Sequence, residues 1–183
     1  MTIANKISVF RILIIPFFIA TILYYDVNHE YLRYIALGLF ILAMVSDGLD
    51  GYIARKKQVI TKAGAIIDPL ADKLLIIAAF IYLYIRANVF GIELPLWIVV
   101  IVISRDFIIL LGSFVIYIVK GNLEIKPTIL GKITTNIQMF TIVVILLKLN
   151  FISFMWILTV ITTVISGFNY IQRGFKVLYA NDD

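Results

Sequence analysis

The chain has 183 residues, 62% of them hydrophobic and only 15% charged, and its sixteen lysines and arginines outnumber eleven acids to give a formal charge of +5. That balance excludes a water-soluble globular domain, which needs more polar surface than this chain can supply. The absence of cysteine excludes disulfides and thiol chemistry, and a single histidine leaves little for imidazole chemistry.

A membrane-spanning helix needs roughly 20 mostly apolar residues, and six such stretches follow one another along the chain. The first, 8–25, is preceded by Lys6, contains Arg11 and ends in Tyr24 and Tyr25 without a small-x-small cleavage pattern. It reads as a retained helix rather than a leader. A polar turn at 26–29 carries His29, a solvated loop residue on this reading, and leads into the second stretch, 31–49. A basic connection at 56–62 precedes the third, 64–84. Breakers at 87–91 precede the fourth, 94–119, and the segment 120–127 precedes the fifth, 129–147. The sixth covers 151–178. No repeat, low-complexity tail or flexible linker interrupts the series. The expected fold is therefore all-α: a single domain over 1–183, an integral membrane bundle of six transmembrane helices. Tyr24, Tyr25, Trp97 and Trp156 are read as membrane-interface or packing residues.

Cytoplasmic flanks of membrane helices accumulate lysine and arginine. With six spans, one side collects Lys6, Arg11, Arg55, Lys56, Lys57, Lys62, Lys120, Lys126, Lys132, Arg173 and Lys176, whereas the other collects Arg33, Arg86 and Lys148. Both termini are thus expected in the cytoplasm, with the protein in the inner membrane. Basic residues at an inner face meet anionic headgroups, so the net charge requires no nucleic acid.

The acids sort by place. Asp26, Glu30, Glu93, Glu124, Asp182 and Asp183 fall in connections or at the terminus, where solvation accounts for them. Asp47, Asp50, Asp68, Asp72 and Asp106 fall within or beside the apolar stretches, where an ionisable group is expensive and by default functional. Asp47 and Asp50 are three residues apart, Asp68 and Asp72 four apart, so each pair shares a helix face. The two helices are consecutive and joined by a short connection, which predicts antiparallel neighbours with four carboxylates at one end. Four such groups repel unless cations offset them. All-oxygen ligation suits a hard divalent ion, Mg²⁺ or Mn²⁺.

The surrounding residues fit a phosphate-bearing ligand. Gly48 and Gly51 leave the helix surface bare beside the acids, Ala54 keeps it low, and Arg55 offers a fork of donors to phosphate oxygens. Glycine packing between helices and a simple basic flank are the plain alternatives for each piece alone. The pieces occur together, as Asp47-x-x-Asp50-Gly51-x-x-Ala54-Arg55, eight residues, then Gly64-x-x-x-Asp68-x-x-x-Asp72.

This pattern of eight fixed positions resembles the signature of the CDP-alcohol phosphatidyltransferases. The resemblance implies a membrane enzyme, commonly a homodimer, that condenses a CDP-linked donor with an alcohol and releases CMP. It implies that Asp47, Asp50, Asp68 and Asp72 hold two metal ions, that Asp47, Gly51, Ala54 and Arg55 form the CDP site, and that Asp72 doubles as general base. The segment 5–18, NKISVFRILIIPFF, is similar to the amino-terminal stretch of bacterial phosphatidylglycerophosphate synthases, which implies a short interfacial helix entering the first span, although Ala4 stands where proline is usual. GAIIDPLADKLL at 64–75 is also close to those enzymes. GKITTNIQM, 131–139, resembles their Gly-Lys-x-Lys-Thr-x-x-Gln segment with Thr134 in place of the second lysine. Ser104-Arg105-Asp106 carries aspartate where they usually have glutamate, a feature shared with eukaryotic-type cardiolipin synthases.

The implied donor is CDP-diacylglycerol and the implied acceptor glycerol 3-phosphate, with phosphatidylglycerol as the alternative. Divalent cations and Arg55 can neutralise a diphosphate, and a carboxylate can take the proton of an attacking alcohol. No Ser-His or Cys-His pair can be assembled, which disfavours a covalent intermediate. Arg105, midway along the fourth stretch, and Lys132, early in the fifth, need anionic partners. Pairing with Asp106 or the other acids is one reading; a pocket for the acceptor's phosphate is the other, and the one adopted here. A cation transporter is the alternative of a different class, but it would spread its acids along a path rather than gather four at one end.

Overall fold

The computed structural model describes residues 3–57, 64–120 and 128–179, and within these the side chains of 3–8, 47–57, 64–70, 72, 114, 117, 119, 120 and 177–179 lie outside the description. Seven helices are present among the described residues and no strand: α1 (Ile3–Tyr24), α2 (Glu30–Lys57), α3 (Gly64–Ile85), α4 (Ala87–Phe90), α5 (Leu96–Lys120), α6 (Ile129–Leu146) and α7 (Ile152–Tyr179). Every expected apolar stretch is a helix. Three of them are long and apolar enough to cross a membrane, at Leu96–Ser113, Ile129–Leu146 and Ile152–Lys176, and shorter apolar runs cover Val9–Tyr24 and Lys73–Ile85.

Three boundaries differ from the sequence reading, the first being that α1 starts at Ile3, ahead of position 8, as a single helix with no separate amino-terminal one among the described residues. α2 continues eight residues past position 49: the glycines at 48 and 51 do not end it, and the good helix formers Ala54, Arg55, Lys56 and Lys57 carry it on. Residues 87–91, expected as a plain connection, contain the single turn of α4. Gly91 closes that turn at φ 66°, a left-handed conformation natural to glycine, and donates to the carbonyl of Asn88.

The chain divides into two units, 1–94 with 142–149, and 95–141 with 150–183. In the first, α1 packs against both α2 and α3. Its core is apolar and close: Phe18, Ile22, Phe40, Ile76, Phe80 and Leu83 are fully buried, and the rings of Phe18 and Phe40 lie 5.7 Å apart. The opposite face of α1 is equally apolar, with Leu13 57% and Phe17 66% exposed, a surface suited to hydrocarbon.

In the second unit α5 packs on α7, and α6 is tied to α7 by a ladder of buried hydroxyls and one amide. Thr134 Oγ1 donates to the carbonyl of Thr162 (3.0 Å), Gln138 Nε2 to Thr163 Oγ1 (3.1 Å), and Thr141 and Thr159 share a hydrogen bond of 2.8 Å. Where apolar surface gives helices no drive to associate, such bonds hold them in register. Trp97 and Trp156 pack edge to face at 6.0 Å.

Candidate active site

The backbone places the signature on two helices of the first unit. Asp47, Asp50, Gly51, Ala54 and Arg55 belong to the carboxy-terminal part of α2, and Asp68 and Asp72 to the first turns of α3. α1 braces both helices. Ser46, at the start of the segment, donates to the carbonyl of Leu42 at 2.6 Å, so its hydroxyl is turned back on the helix. The connection at 58–63 lies outside the described residues.

The donor set fits a hard divalent cation and fits zinc poorly. Every candidate ligand is a carboxylate, and the single histidine precedes α2 at its far end: Asp47 lies seventeen residues along the helix from Glu30, a rise of about 25 Å. His29 instead pairs with Asp26 in the turn, Nδ1 to Oδ1 at 2.9 Å. Desolvation, the largest single influence, would raise the Asp26 carboxyl, but the hydrogen bonds from the His29 ring and from the backbone N–H groups of Asn28 and His29 together outweigh it and hold the group below its ordinary value. Among the described residues no three His, Cys, Asp or Glu side chains form a competing metal site.

The second unit holds the other candidates. Arg105, on α5, is 5% exposed and Asp106 is fully buried. Arg105 Nη1 donates to Asp106 Oδ1 at 2.7 Å, and Nη2 to Ser166 Oγ of α7 at 2.6 Å. The pairing with Asp106 that the sequence allowed is therefore present. Nε of Arg105 has no hydrogen-bond partner among the described residues. Beside this guanidinium α6 begins. Thr128 Oγ1 accepts from the backbone N–H of Gly131 at 2.9 Å, and its carbonyl accepts from that of Lys132 at 3.1 Å. A methyl group on Gly131 would stand 3.3 Å from Arg105 Nη2 and 3.0 Å from Thr128 Oγ1. Lys132, the next residue, is exposed. Thr134, which replaces a lysine of the resembled pattern, faces inward and bonds α7. An apolar groove of about 190 Å³ between α5 and α7, lined in part by Gly112, Tyr170 and Gly174, includes none of these charged residues.

Other polar placements escaped the sequence reading. Arg11, counted as a flank, is 1% exposed within the first unit. Glu30, read as a solvated acid, opens α2 and gathers three partners. Arg33 Nε and Nη2 reach its Oε2 at 2.9 and 2.7 Å; Tyr25 donates to Oε1 at 3.2 Å, and Lys148 Nζ stands 3.5 Å from the same oxygen. Arg33 Nη1 also donates to the carbonyl of Leu146 at 2.9 Å, Lys148 Nζ to Tyr25 Oη at 2.8 Å, and Arg86 Nη2 to the carbonyl of Tyr25. Two of these partners, Leu146 for Arg33 and Lys148 for Tyr25, lie 113 and 123 residues away, beyond any local pattern. The hydrogen bond from Arg33, more than any other influence, holds the Glu30 carboxyl below its ordinary value.

Comparison with known proteins extends over almost the whole chain. A family model described as CDP-alcohol phosphatidyltransferase matches residues 1–166. A protein of Bacillus subtilis (strain 168) named CDP-diacylglycerol--glycerol-3-phosphate 3-phosphatidyltransferase is 34% identical, with 95% of each chain covered. Proteins of the same name from Rickettsia felis and Aquifex aeolicus are 31% and 30% identical, covering 94% and 98% of this chain and 94% and 99% of their own.

Proposed function

Because the chain belongs to the CDP-alcohol phosphatidyltransferase family, we propose that it transfers the phosphatidyl group of CDP-diacylglycerol to glycerol 3-phosphate, giving phosphatidylglycerophosphate and CMP. The observation that carries this reading is likeness over nearly the full length: relatives bearing that activity in their name match 94–98% of this chain at 30–34% identity. All eight signature positions are present in it.

On this proposal Asp47, Asp50, Asp68 and Asp72 hold two divalent ions, Mg²⁺ or Mn²⁺. When bound, these ions offset the charge of the diphosphate. Gly51 and Ala54 leave the surface of α2 low enough for CDP to lie beside Asp47, and Arg55 donates to its phosphate oxygens. Asp72 accepts the proton of the acceptor hydroxyl as the oxygen attacks the phosphorus on the lipid side. A new P–O bond to glycerol forms, the bond to CMP breaks, and CMP leaves with the electron pair. No covalent enzyme intermediate is required. Arg105 and Lys132 bind the phosphate of glycerol 3-phosphate; that group carries nearly two negative charges near neutral pH, and the Arg105 Nε lacking a partner among the described residues supports an anionic ligand there.

The same proposal has six spans with a short interfacial segment at the amino terminus, both termini in the cytoplasm, the active site facing it in the inner membrane, and two copies working as a dimer. The eleven-to-three division of flanking cations supports the orientation; the family resemblance supports the dimer. Cysteines introduced as Lys57→Cys and Lys126→Cys should react with an impermeant reagent only from the cytoplasmic side, and His29→Cys only from outside. The deciding assay supplies purified protein with CDP-diacylglycerol, a divalent metal and either glycerol 3-phosphate or phosphatidylglycerol, and identifies the lipid formed. Phosphatidylglycerophosphate is expected; cardiolipin as main product would overturn the acceptor.

A further inference from the structure

We propose that Ser166 is a positioning residue that sets the Arg105 guanidinium for the acceptor's phosphate, and that Gly131 keeps the space in which that guanidinium lies. The inference rests on the reading of Arg105 as an acceptor-binding group.

A guanidinium has five N–H donors in a fixed plane, and its aim is decided by which of them are fastened. Here one end is fastened to Asp106 on its own helix and the other to Ser166 on α7, at 2.7 and 2.6 Å. A single carboxylate anchor would leave the plane free to swing about that contact. The second anchor, on a different helix, fixes it. Ser166 is 1% exposed, so its hydroxyl makes this bond away from competing water. Anchored so, the guanidinium lies against the first turn of α6, where a side chain at 131 would meet it at 3.3 Å, and Lys132 follows immediately. The positive end of α6 adds to the same locality. Nε, with no partner among the described residues, is a donor that a phosphate oxygen can satisfy.

The measurement is steady-state kinetics of the full-length protein in detergent, with KM determined separately for each substrate. Ser166→Ala should raise the KM for glycerol 3-phosphate about tenfold, the scale of one charge-assisted hydrogen bond, and leave the KM for CDP-diacylglycerol and kcat within about twofold. Ser166→Thr, which keeps the hydroxyl, should restore the parent KM. Gly131→Ala should reproduce the rise by displacing the guanidinium. The double variant of Arg105→Ala and Ser166→Ala should be no worse than Arg105→Ala alone, because Ser166 acts through Arg105. If Arg105→Ala raises that KM and Ser166→Ala does not, or if the two losses add, the positioning role is overturned and the acceptor reading stands. If Arg105→Ala itself leaves the KM for glycerol 3-phosphate unchanged, the acceptor reading falls. A fall in kcat and thermal midpoint together with a rise in both KM values in Ser166→Ala would mark a merely structural serine and overturn the role. Should Ser166→Ala fail to fold, Gly131→Ala and Ser166→Thr decide: an unchanged KM in Gly131→Ala, or a raised one in Ser166→Thr, overturns it.

Discussion

Two arginines in this molecule are buried to nearly the same degree, Arg33 at 7% exposure and Arg105 at 5%, and they are held in opposite ways. Every nitrogen of Arg33 has a partner: Nε and Nη2 meet Glu30, Nη2 also reaches Tyr34 Oη at 3.1 Å, Nη1 reaches the Leu146 carbonyl, and the guanidinium lies 4.6 Å above the Tyr34 ring. Arg105 is fastened at both Nη atoms and has a buried Nε with no partner among the described residues. An unmade hydrogen bond on a buried charged group costs more than a made one contributes. A saturated guanidinium therefore acts as a fastener, whereas one with a donor to spare is suited to receive a ligand.

The contrast sharpens when chemistry and fold are separated by mutation. The largest effect belongs to the signature acids. Asp72→Asn should reduce CMP release by about 10³-fold or more, through loss of the proposed base and proposed metal ligand, and Asp68→Asn should be similarly inactive. With metal chelated, the thermal midpoint of either variant should stay level or rise, because mutual repulsion among the carboxylates is relieved. Full activity in both, or activity undiminished by excess chelator, would remove the metal reading.

The two arginines should then cross over. Arg105→Ala is expected to raise the KM for glycerol 3-phosphate by about 10- to 100-fold, at about 1.5 to 3 kcal/mol for a charged hydrogen bond. Arg33→Ala should lower stability by about 2 kcal/mol, since it strips the buried Leu146 carbonyl of its guanidinium donor, and leave the kinetics of the folded protein unchanged. A denaturation curve and a kinetic profile for each variant suffice; equal losses of activity in both would erase the distinction.

Acid should act on the fastener in a third, smaller way. The Glu30 carboxyl is held below its ordinary value, first by the Arg33 hydrogen bond and then by the charges of Arg33 and Lys148 against some desolvation. A depressed value means that the stabilisation is present above the unfolded-state pKa and is lost as pH falls through the folded-state one. The thermal midpoint of the parent should consequently drop more steeply under acid, below about pH 4, than that of Glu30→Gln. Parallel slopes would show that Glu30 is not engaged in solution. The smallest expected effect is in the hydroxyl ladder: Thr141→Val removes one rung and should cost about 0.6 kcal/mol, read as a shift of a degree or two in the thermal midpoint.

What the sequence disclosed depended on distance along the chain. Hydrophobic runs located all six long helices, because each is a local property of about twenty residues. The spacings of three and four put each pair of signature aspartates on one helix, and α2 and α3 are helical there. Arg105 and Asp106 are adjacent, and their pairing was one of the two alternatives the sequence offered. Ser166 and Gly131 were not connected with them, since a contact across sixty-one residues leaves no local mark. The Glu30 network was hidden for the same reason, and Lys148, which enters it at φ 54°, is the only non-glycine residue with positive φ among those described. α4 escaped because four residues carry no periodicity, although the glycine that ends it was correctly read as a breaker.

The same network bears on how the protein enters its membrane. At the end of the first unit where α1 turns into α2, Arg33, Arg86 and Lys148 are matched one for one by Asp26, Glu30 and Glu93, and five of these six, all but Glu93, have hydrogen bonds described within the unit. In the proposed topology this end is carried across the bilayer during insertion. A membrane potential does work of about 2.3 kcal/mol per 100 mV on each net elementary charge moved; on a balanced set that work cancels. Translocation of these loops is thereby uncoupled from the voltage across the membrane, and the basic flanks on the cytoplasmic side alone resist being drawn through.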